Sequence, residues 1–398
     1  MSSTTSSTLA DQQLLQGLPI QTGEDTLDST KFLSSLTTSV GATVPPSEYF
    51  LRSPVLTWQG CVSAKGSGPP PPHAAAAPGR PVVDLETQAA AIIGPTRRLF
   101  ADVSQGTVNM CTSLAFAQAY TLKYCLQHTP EDFKDPAATV PQLSAVFAYY
   151  FQRVEECRTF GVCKCTLCAQ RDTCTDVCNP PCIDCGSYLL SAATVFANGV
   201  CISACWPYSK VQTGDLNTPP DVQARENALA FRIPALSCIA GDAATAYNMV
   251  RALAQGQPVV VFVNLTPAQV AWMQAQQLPS SGDPADLIMP EYVPGPTSAL
   301  VGHAVLVDGY VAASDVFLVR NNFGLAWGSK GRFAMRASAF TTPGQLHSAV
   351  ELTRVCGPRP IAVTPEATAA TQPGCPALTS STGIVAASSA STAPEPTP

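Results

Sequence analysis

The sequence predicts an α+β protein whose helices come before its strands along the chain. Residues 112–126 (TSLAFAQAYTLKYCL) contain good helix formers and no Gly or Pro, which predicts a buried helix. Residues 258–265 (PVVVFVNL) are rich in β-branched side chains and are bounded by turn residues, which predicts a buried strand. Because the two kinds of element separate along the chain, we expect two segregated halves with a cleft between them.

The remaining predicted elements are three helices and three strands. The helices span residues 141–156, 186–197 and 244–255, and the strands span residues 303–310, 316–320 and 331–335. The stretch around His347, after the last of these strands, predicts little regular structure.

Composition divides the chain into a globular centre and two extensions. Apolar residues make up 46% of the chain and charged residues only 13%, so the centre can bury a substantial core. We predict a globular domain over residues 82–356. Residues 1–81 predict a largely disordered extension that ends in a Pro-rich linker, and residues 357–398 predict a disordered tail of Ala, Ser, Thr and Pro.

Charge and hydropathy exclude several kinds of partner. The formal net charge is −6 and the 22 Lys and Arg residues are dispersed, which argues against a nucleic-acid partner. No apolar stretch reaches the roughly 18–20 residues that a membrane span needs. The amino terminus lacks the pattern of a signal peptide, which predicts synthesis in the cytosol; for a viral source the virion would be a further location.

Cys111 is the candidate nucleophile. It stands at the predicted start of the helix over 112–126, where unpaired backbone N–H groups and the helix dipole favour an anion. A thiol attacks as its thiolate, so this position suits nucleophilic chemistry. Taken alone, a Cys in an apolar segment is more often a small core residue.

The candidate general base is His303, found by elimination among four histidines. His73 lies in the Pro-rich linker, and His347 lies in the stretch with little predicted structure. His128 closes the helix that Cys111 opens, roughly 25 Å away at the usual rise per residue. His303 opens an apolar strand. A lone His in such a strand is more often a core residue whose hydrogen bonds are satisfied, so the role of His303 depends on the motifs around it.

Motifs around both residues supply that context. QGTVNMC ends in Cys111, GHAV runs from 302 to 305, and RNNFGLAWGSKG runs from 320 to 331. These motifs resemble those of the papain family of cysteine peptidases, with the family's spacing from Gln to Cys and from Asn321 to Gly331. Thr112 replaces the Trp that follows the nucleophile in much of the family, as in its bacterial and viral members.

The resemblance implies a two-lobed fold with a helical lobe, an antiparallel β lobe and an active site between them. It implies that Cys111 attacks the scissile carbonyl, that His303 exchanges protons with it, and that Asn321 orients the imidazole. Gln105 would donate to the oxyanion.

The resemblance also implies that Gly302, Phe323 and Gly186 border a bound protein or peptide substrate, and that catalysis needs no cofactor. The oligomeric state is not predicted.

The sequence departs from the family pattern at three places. Asn109 and Met110 replace a Gly-Ser pair, where Asn tolerates the left-handed backbone that Gly often supplies and Met110 adds bulk by the cleft. Phe323 replaces the Trp that shields the His–Asn pair. His303 follows Cys111 by 192 residues, more than the family's usual separation, which predicts insertions.

Two insertions are predicted. Residues 266–300 predict a Pro-rich loop that overhangs the cleft near His303, and residues 157–185 contain eight cysteines. So dense a set of cysteines needs either metal or disulfides for stability. Paired Cys-x2-Cys spacing suits structural zinc, and an even count suits disulfides, so the metal ligands are not assigned.

Two other functions stay open at this point. The chain could be an inactive papain-fold interaction protein that works through its cysteine-rich insert. It could also be a deubiquitinase-like isopeptidase. Each candidate catalytic position holds the residue that the chemistry requires, which favours the peptidase.

Overall fold

The computed structural model describes residues 83–106, 108–160, 186–209, 216, 218–239, 244–276, 282–293 and 300–360. The predictions for residues 1–81, for the cysteine side chains of 157–185 and for residues 361–398 lie outside the described residues. Most of the domain predicted over 82–356 is therefore described.

Seven α-helices lie in the described chain, most of them before residue 230. They are α1 (Leu85–Ile93), α2 (Cys111–Leu126), α3 (Ala145–Phe160), α4 (Leu189–Asn198), α5 (Val222–Ala228), α6 (Thr245–Ala254) and α7 (Pro267–Ala275). Short 3₁₀ turns cover Pro130–Phe133, Pro284–Asp286 and Ala337–Phe340. Helix α2 is buried along nearly its whole length, so it forms the centre of the helical half.

The strands form one antiparallel sheet. They are β1 (Val83–Asp84), β2 (Arg232–Ile239), β3 (Val259–Leu265), β4 (Val301–Val311), β5 (Val316–Arg320), β6 (Arg332–Arg336) and β7 (Leu346–Cys356). Their order is β2-β7-β3-β4-β5-β6, and β1 pairs with β4. The helical first half and this sheet confirm the predicted α+β class.

The strongly patterned elements appear close to where the sequence predicts them. The predicted helix over 112–126 is α2, and Cys111 is its first residue. The helix predicted over 141–156 starts later, at Ala145, because Ser144 caps it: Ser144 Oγ accepts a hydrogen bond from the backbone N–H of Phe147 at 3.1 Å. Residues 316–320 form β5 as predicted.

Two sequence-based predictions are wrong. Residues 266–300 are not a loop throughout, because Pro267–Ala275 is helical and Thr266 and Gln269 cap it reciprocally. His347 does not lie in a weakly structured stretch but in strand β7. Strand β7 lies between β2 and β3, two partners distant in sequence. Because its pairing depends on those partners, the sequence of β7 alone indicates a strand only weakly.

The end of the described chain returns to the central helix. Tyr120 Oη donates to the carbonyl of Cys356 at 2.7 Å, and Tyr124 Oη donates to the carbonyl of Pro358 at 2.5 Å. Residues 357–360, placed in the predicted tail, are therefore tied to α2.

Cys238 and Cys356 are both disulfide-bonded. Cys238 lies opposite Val350 in the β2–β7 ladder, six residues along β7 from Cys356. At about 3.4 Å per strand residue that separation is far beyond the span of a disulfide, so these two are not bonded to each other.

Candidate active site

The nucleophile candidate lies on helix α2 and the base candidate on strand β4, two elements that pack against each other. Cys111 is the first residue of α2, and His303 lies near the start of β4. The side-chain amide of Asn322 donates to the carbonyl of Cys111 at 3.2 Å and to the carbonyl of Ala304 at 2.6 Å. One buried amide therefore bridges the start of the helix and the residue beside His303.

Asn322 was missed by the sequence reasoning. Its only signal was its place between Asn321 and Phe323 in the RNNFG motif. Its bridging contacts depend on α2 and β4, which are far apart in sequence and meet only in the fold.

His303 and Asn321 are paired. His303 Nε2 lies 2.9 Å from Asn321 Oδ1, and the backbone N–H of Asn322 also donates to Oδ1, at 2.8 Å. The second contact identifies Oδ1 as the amide oxygen, so the His303 nitrogen facing it carries a proton. The lone pair of the neutral ring is then on Nδ1, which has no hydrogen-bond partner among the described residues.

Burial sets the protonation of His303. The side chain is only 1% exposed. Desolvation lowers the pKa of His303 to about 4, and the hydrogen bond with Asn321 opposes that shift. At neutral pH the ring in this arrangement is uncharged and able to accept a proton at Nδ1.

Aromatic rings cover the His303–Asn321 pair. The ring of Phe323 stacks on His303 with centroids 5.6 Å apart, and Trp327 meets Phe323 edge-on at 5.7 Å. Trp327 is anchored in turn, because its Nε1–H donates to the carbonyl of Met273 at 2.9 Å. Phe323 thus shields the imidazole from water by packing alone.

Gln105 lies beside the same segment. Its backbone N–H donates to the carbonyl of Asn322 at 2.8 Å, and Ser104 pairs with Phe323 in an isolated antiparallel bridge. The Gln105 side chain is 2% exposed, and its Oε1 has no hydrogen-bond partner among the described residues. The segment before Cys111 is therefore fixed against the segment that carries Asn321.

The two glycines predicted to border the substrate lie on different elements. Gly302 precedes His303 in β4 and lies opposite Asn264 of β3. Gly186 precedes α4, has a φ of 79°, and donates its backbone N–H to Tyr149 Oη at 3.1 Å. That positive φ is a conformation that residues with a Cβ rarely adopt.

The residues just before Cys111 differ from the sequence-based expectation. Asn109 is not left-handed, since the described non-Gly residues with positive φ are Asp315 and Lys330. Met110 is fully buried and belongs to the hydrophobic core. The chain enters α2 without the left-handed residue that the Gly-Ser pattern suggested.

The other described thiols are poor nucleophiles. Burial raises the pKa of Cys125 to about 12 and also raises the pKa values of Cys201 and Cys205. Among the described histidines, His128 bonds through Nδ1 to the carbonyl of Tyr124 at 2.7 Å, and His347 packs edge-on against Phe262. His128 lies just beyond the end of α2 opposite to Cys111.

The described part of the chain forms neither a cluster suited to a metal ion nor a membrane-spanning helix. It holds no group of three or more His, Cys, Asp or Glu side chains arranged for a metal ion. The cysteine-rich segment with its predicted zinc or disulfides lies outside that part. No described helix has the length and apolarity needed to cross a bilayer.

Comparison with known proteins gives distant structural likenesses. No protein-family model and no curated protein matches the chain. It is similar to xylellain, a cysteine protease from Xylella fastidiosa, with 21% identity, 66% of this chain and 84% of that chain covered, and a TM-score of 0.46.

Two further solved structures are similar to the chain. The Carica candamarcensis cysteine protease CMS1MS2 shows 15% identity, 68% and 96% coverage of this chain and that chain, and a TM-score of 0.39. Digestive procathepsin L 3 of Tenebrio molitor shows 16% identity, 71% and 72% coverage, and a TM-score of 0.41. Because these TM-scores are below 0.5, the function proposed below rests on the site itself.

Proposed function

We propose that this protein is a papain-like cysteine endopeptidase with Cys111 as nucleophile and His303 as general base. The observation that carries the proposal is the state of His303. Its Nε2 proton is held by Asn321 at 2.9 Å, while its buried Nδ1 has no partner among the described residues. Asn322 bridges the backbone of Cys111 to the residue beside that ring.

The proposed first step is proton transfer from the Cys111 thiol to His303 Nδ1. The start of α2 favours the resulting thiolate, and the imidazolium faces it. The thiolate then attacks the scissile carbonyl carbon. The negative charge that develops on the carbonyl oxygen is stabilised by the Cys111 backbone N–H and the Gln105 side-chain amide.

The proposed second step releases the amine. The tetrahedral intermediate collapses, the C–N bond breaks, and the Nδ1 proton of His303 passes to the leaving nitrogen. Water then attacks the thioester while His303 takes one of its protons. The acid product leaves, and Cys111 is restored as the thiolate.

A labelling experiment tests the proposal. An epoxide thiol probe should modify Cys111 in the wild-type chain under reducing conditions, and a peptide library should be cleaved. Cys111→Ala should abolish both, and His303→Ala should abolish cleavage. Unchanged cleavage by Cys111→Ala would refute the assignment.

A second substrate separates the peptidase from an isopeptidase. Linear peptides and ubiquitin conjugates are offered to the same preparation. Cleavage of linear peptides supports the proposal, whereas cleavage confined to the conjugates would assign an isopeptidase instead. A chain that reacts with neither substrate nor probe would point to an interaction protein.

A further inference from the structure

A cluster of polar side chains lies behind the first turn of helix α2. Thr112, Ser113 and Gln152 are each 0% exposed, and Ser187 is half-buried beside them. Gln152 Oε1 lies 3.1 Å from Thr112 Oγ1 and 3.0 Å from Ser113 Oγ. Ser187 Oγ contacts both Gln152 Oε1 and Thr112 Oγ1.

The three hydroxyl protons can all be placed in this cluster. Thr112 can donate to Ser187, Ser187 can donate to Gln152 Oε1, and Ser113 can donate to the same oxygen. Oε1 then accepts two hydrogen bonds, which matches its two lone pairs. Gln152 Nε2 has no hydrogen-bond partner among the described residues, so the carboxamide acts here through its oxygen.

Gln152 therefore joins two helices and the segment before a third through one atom. It lies on α3, while Thr112 and Ser113 lie in the first turn of α2 directly after Cys111. Ser187 follows Gly186 and precedes α4. In much of the papain family an apolar Trp follows the nucleophile, but here Thr112 is polar and its hydroxyl enters this cluster.

We propose that Gln152 is a positioning residue for the proposed peptidase reaction. It holds the first turn of α2, with the sulfur and backbone N–H of Cys111, in fixed register with the segment 186–188. This inference rests on the proposed function, because the register matters only if Cys111 attacks a substrate lying along that segment. Small displacements of a nucleophile or an oxyanion donor slow catalysis strongly.

The first test replaces Gln152 with Met, which has similar length and no strong acceptor. We expect kcat for a cleaved peptide to fall about tenfold or more. We also expect the pH midpoint for alkylation of Cys111 by iodoacetamide to rise, because a displaced helix start stabilises the thiolate less. A purely structural role would lower the melting temperature without moving that midpoint.

A matched pair of substitutions covers the case in which Gln152→Met does not fold. Thr112→Val keeps the side-chain shape and removes the hydroxyl, whereas Thr112→Ser keeps the hydroxyl. We expect Thr112→Val to lower kcat and to raise the alkylation midpoint, and Thr112→Ser to stay near wild type. Thr194→Val is the control, since among the described residues its hydroxyl bonds within α4, to the carbonyl of Leu190 at 3.0 Å.

The outcomes separate this inference from the proposed function. If the wild type cleaves peptides while Gln152→Met and Thr112→Val match it in kcat and in alkylation midpoint, the positioning role is overturned and the peptidase stands. Equal losses in Thr112→Val, Thr112→Ser and Thr194→Val would also overturn it. A wild type that neither cleaves peptides nor is alkylated at Cys111 would refute both the positioning role and the proposed function.

Discussion

At the scale of single residues, Asn321 determines where the proton of His303 sits. Its Oδ1 accepts the backbone N–H of Asn322 at 2.8 Å and therefore faces the protonated Nε2 of His303. Desolvation meanwhile lowers the pKa of His303 to about 4. Both effects leave a neutral ring whose basic nitrogen is the one on the opposite side from Asn321.

The proposed ion pair predicts a shift in the pKa of His303 when Cys111 is removed. A thiolate beside the ring favours the imidazolium and raises its pKa, whereas burial alone holds it at about 4. NMR titration of His303 should therefore give a higher pKa in the wild type than in Cys111→Ala. Equal values in the two proteins would argue against the ion pair.

Replacing Gln105 tests the oxyanion role. Gln105→Glu keeps the shape of the side chain and removes the amide donor, so kcat should fall by roughly 10²–10³-fold while KM changes little. Peptide hydrolysis at saturating substrate measures this. Gln255→Glu, at an exposed position, is the control and should keep wild-type kcat. A comparable fall in both variants would mean that added charge, not a lost donor, is responsible.

At the scale of elements, the candidate site lies at the contact of α2 with β4. The bridge is Asn322, which is fully buried and donates to carbonyls on either side. Each element has its own local pattern, but the residue that bridges them follows β5 and belongs to neither. The site therefore depends on how the helical half docks on the sheet.

Removing this bridge should destabilise the protein. Asn322→Ala leaves the buried carbonyls of Cys111 and Ala304 without the amide, which should lower the free energy of unfolding by about 1–3 kcal/mol. Urea unfolding measures the change. Asn264→Ala removes an exposed amide that bonds Gly344 and should cost clearly less. Equal losses of unfolding free energy in Asn322→Ala and Asn264→Ala would show that the Asn322 bridge stabilises the fold no more than the exposed hydrogen bond does.

At the scale of the whole molecule, a charged cluster ties the start of the domain to the sheet. Arg332 contacts Asp308 at 2.7 Å and Asp84 at 3.1 Å, and Arg320 contacts Glu86 at 2.6 Å. Three carboxylates thus face two guanidinium groups, which leaves one excess negative charge. Desolvation raises the pKa of the fully buried Asp308 above its usual value, and Glu86 and Asp84 add to that shift, while the two arginines oppose it.

This cluster predicts a pH-dependent contribution to stability. A carboxyl with a raised pKa keeps its proton in the folded state at a pH where the unfolded chain has lost it. Its contribution is therefore fully present below its unfolded pKa and is lost as pH rises through the folded pKa. Relative to Asp308→Asn, which cannot titrate, the wild type should gain stability as pH falls from 7 to 4. Urea unfolding across that range measures the difference, and a constant difference would contradict the raised pKa.

The sequence by itself determined the α+β class, the extents of α2, β3 and β5 to within a residue or two, and the candidate pair of Cys111 and His303. These follow from local periodicity and from short motifs, which act over neighbouring residues.

Only the tertiary structure decided the rest. Strand β7 forms because β2 and β3 lie on either side of it, and Asn322 and Gln152 matter because elements distant in the chain pack around their amides. A buried polar group must find its partners wherever the fold places them. Its partners are therefore a property of the packed molecule, and no local pattern of residues specifies them.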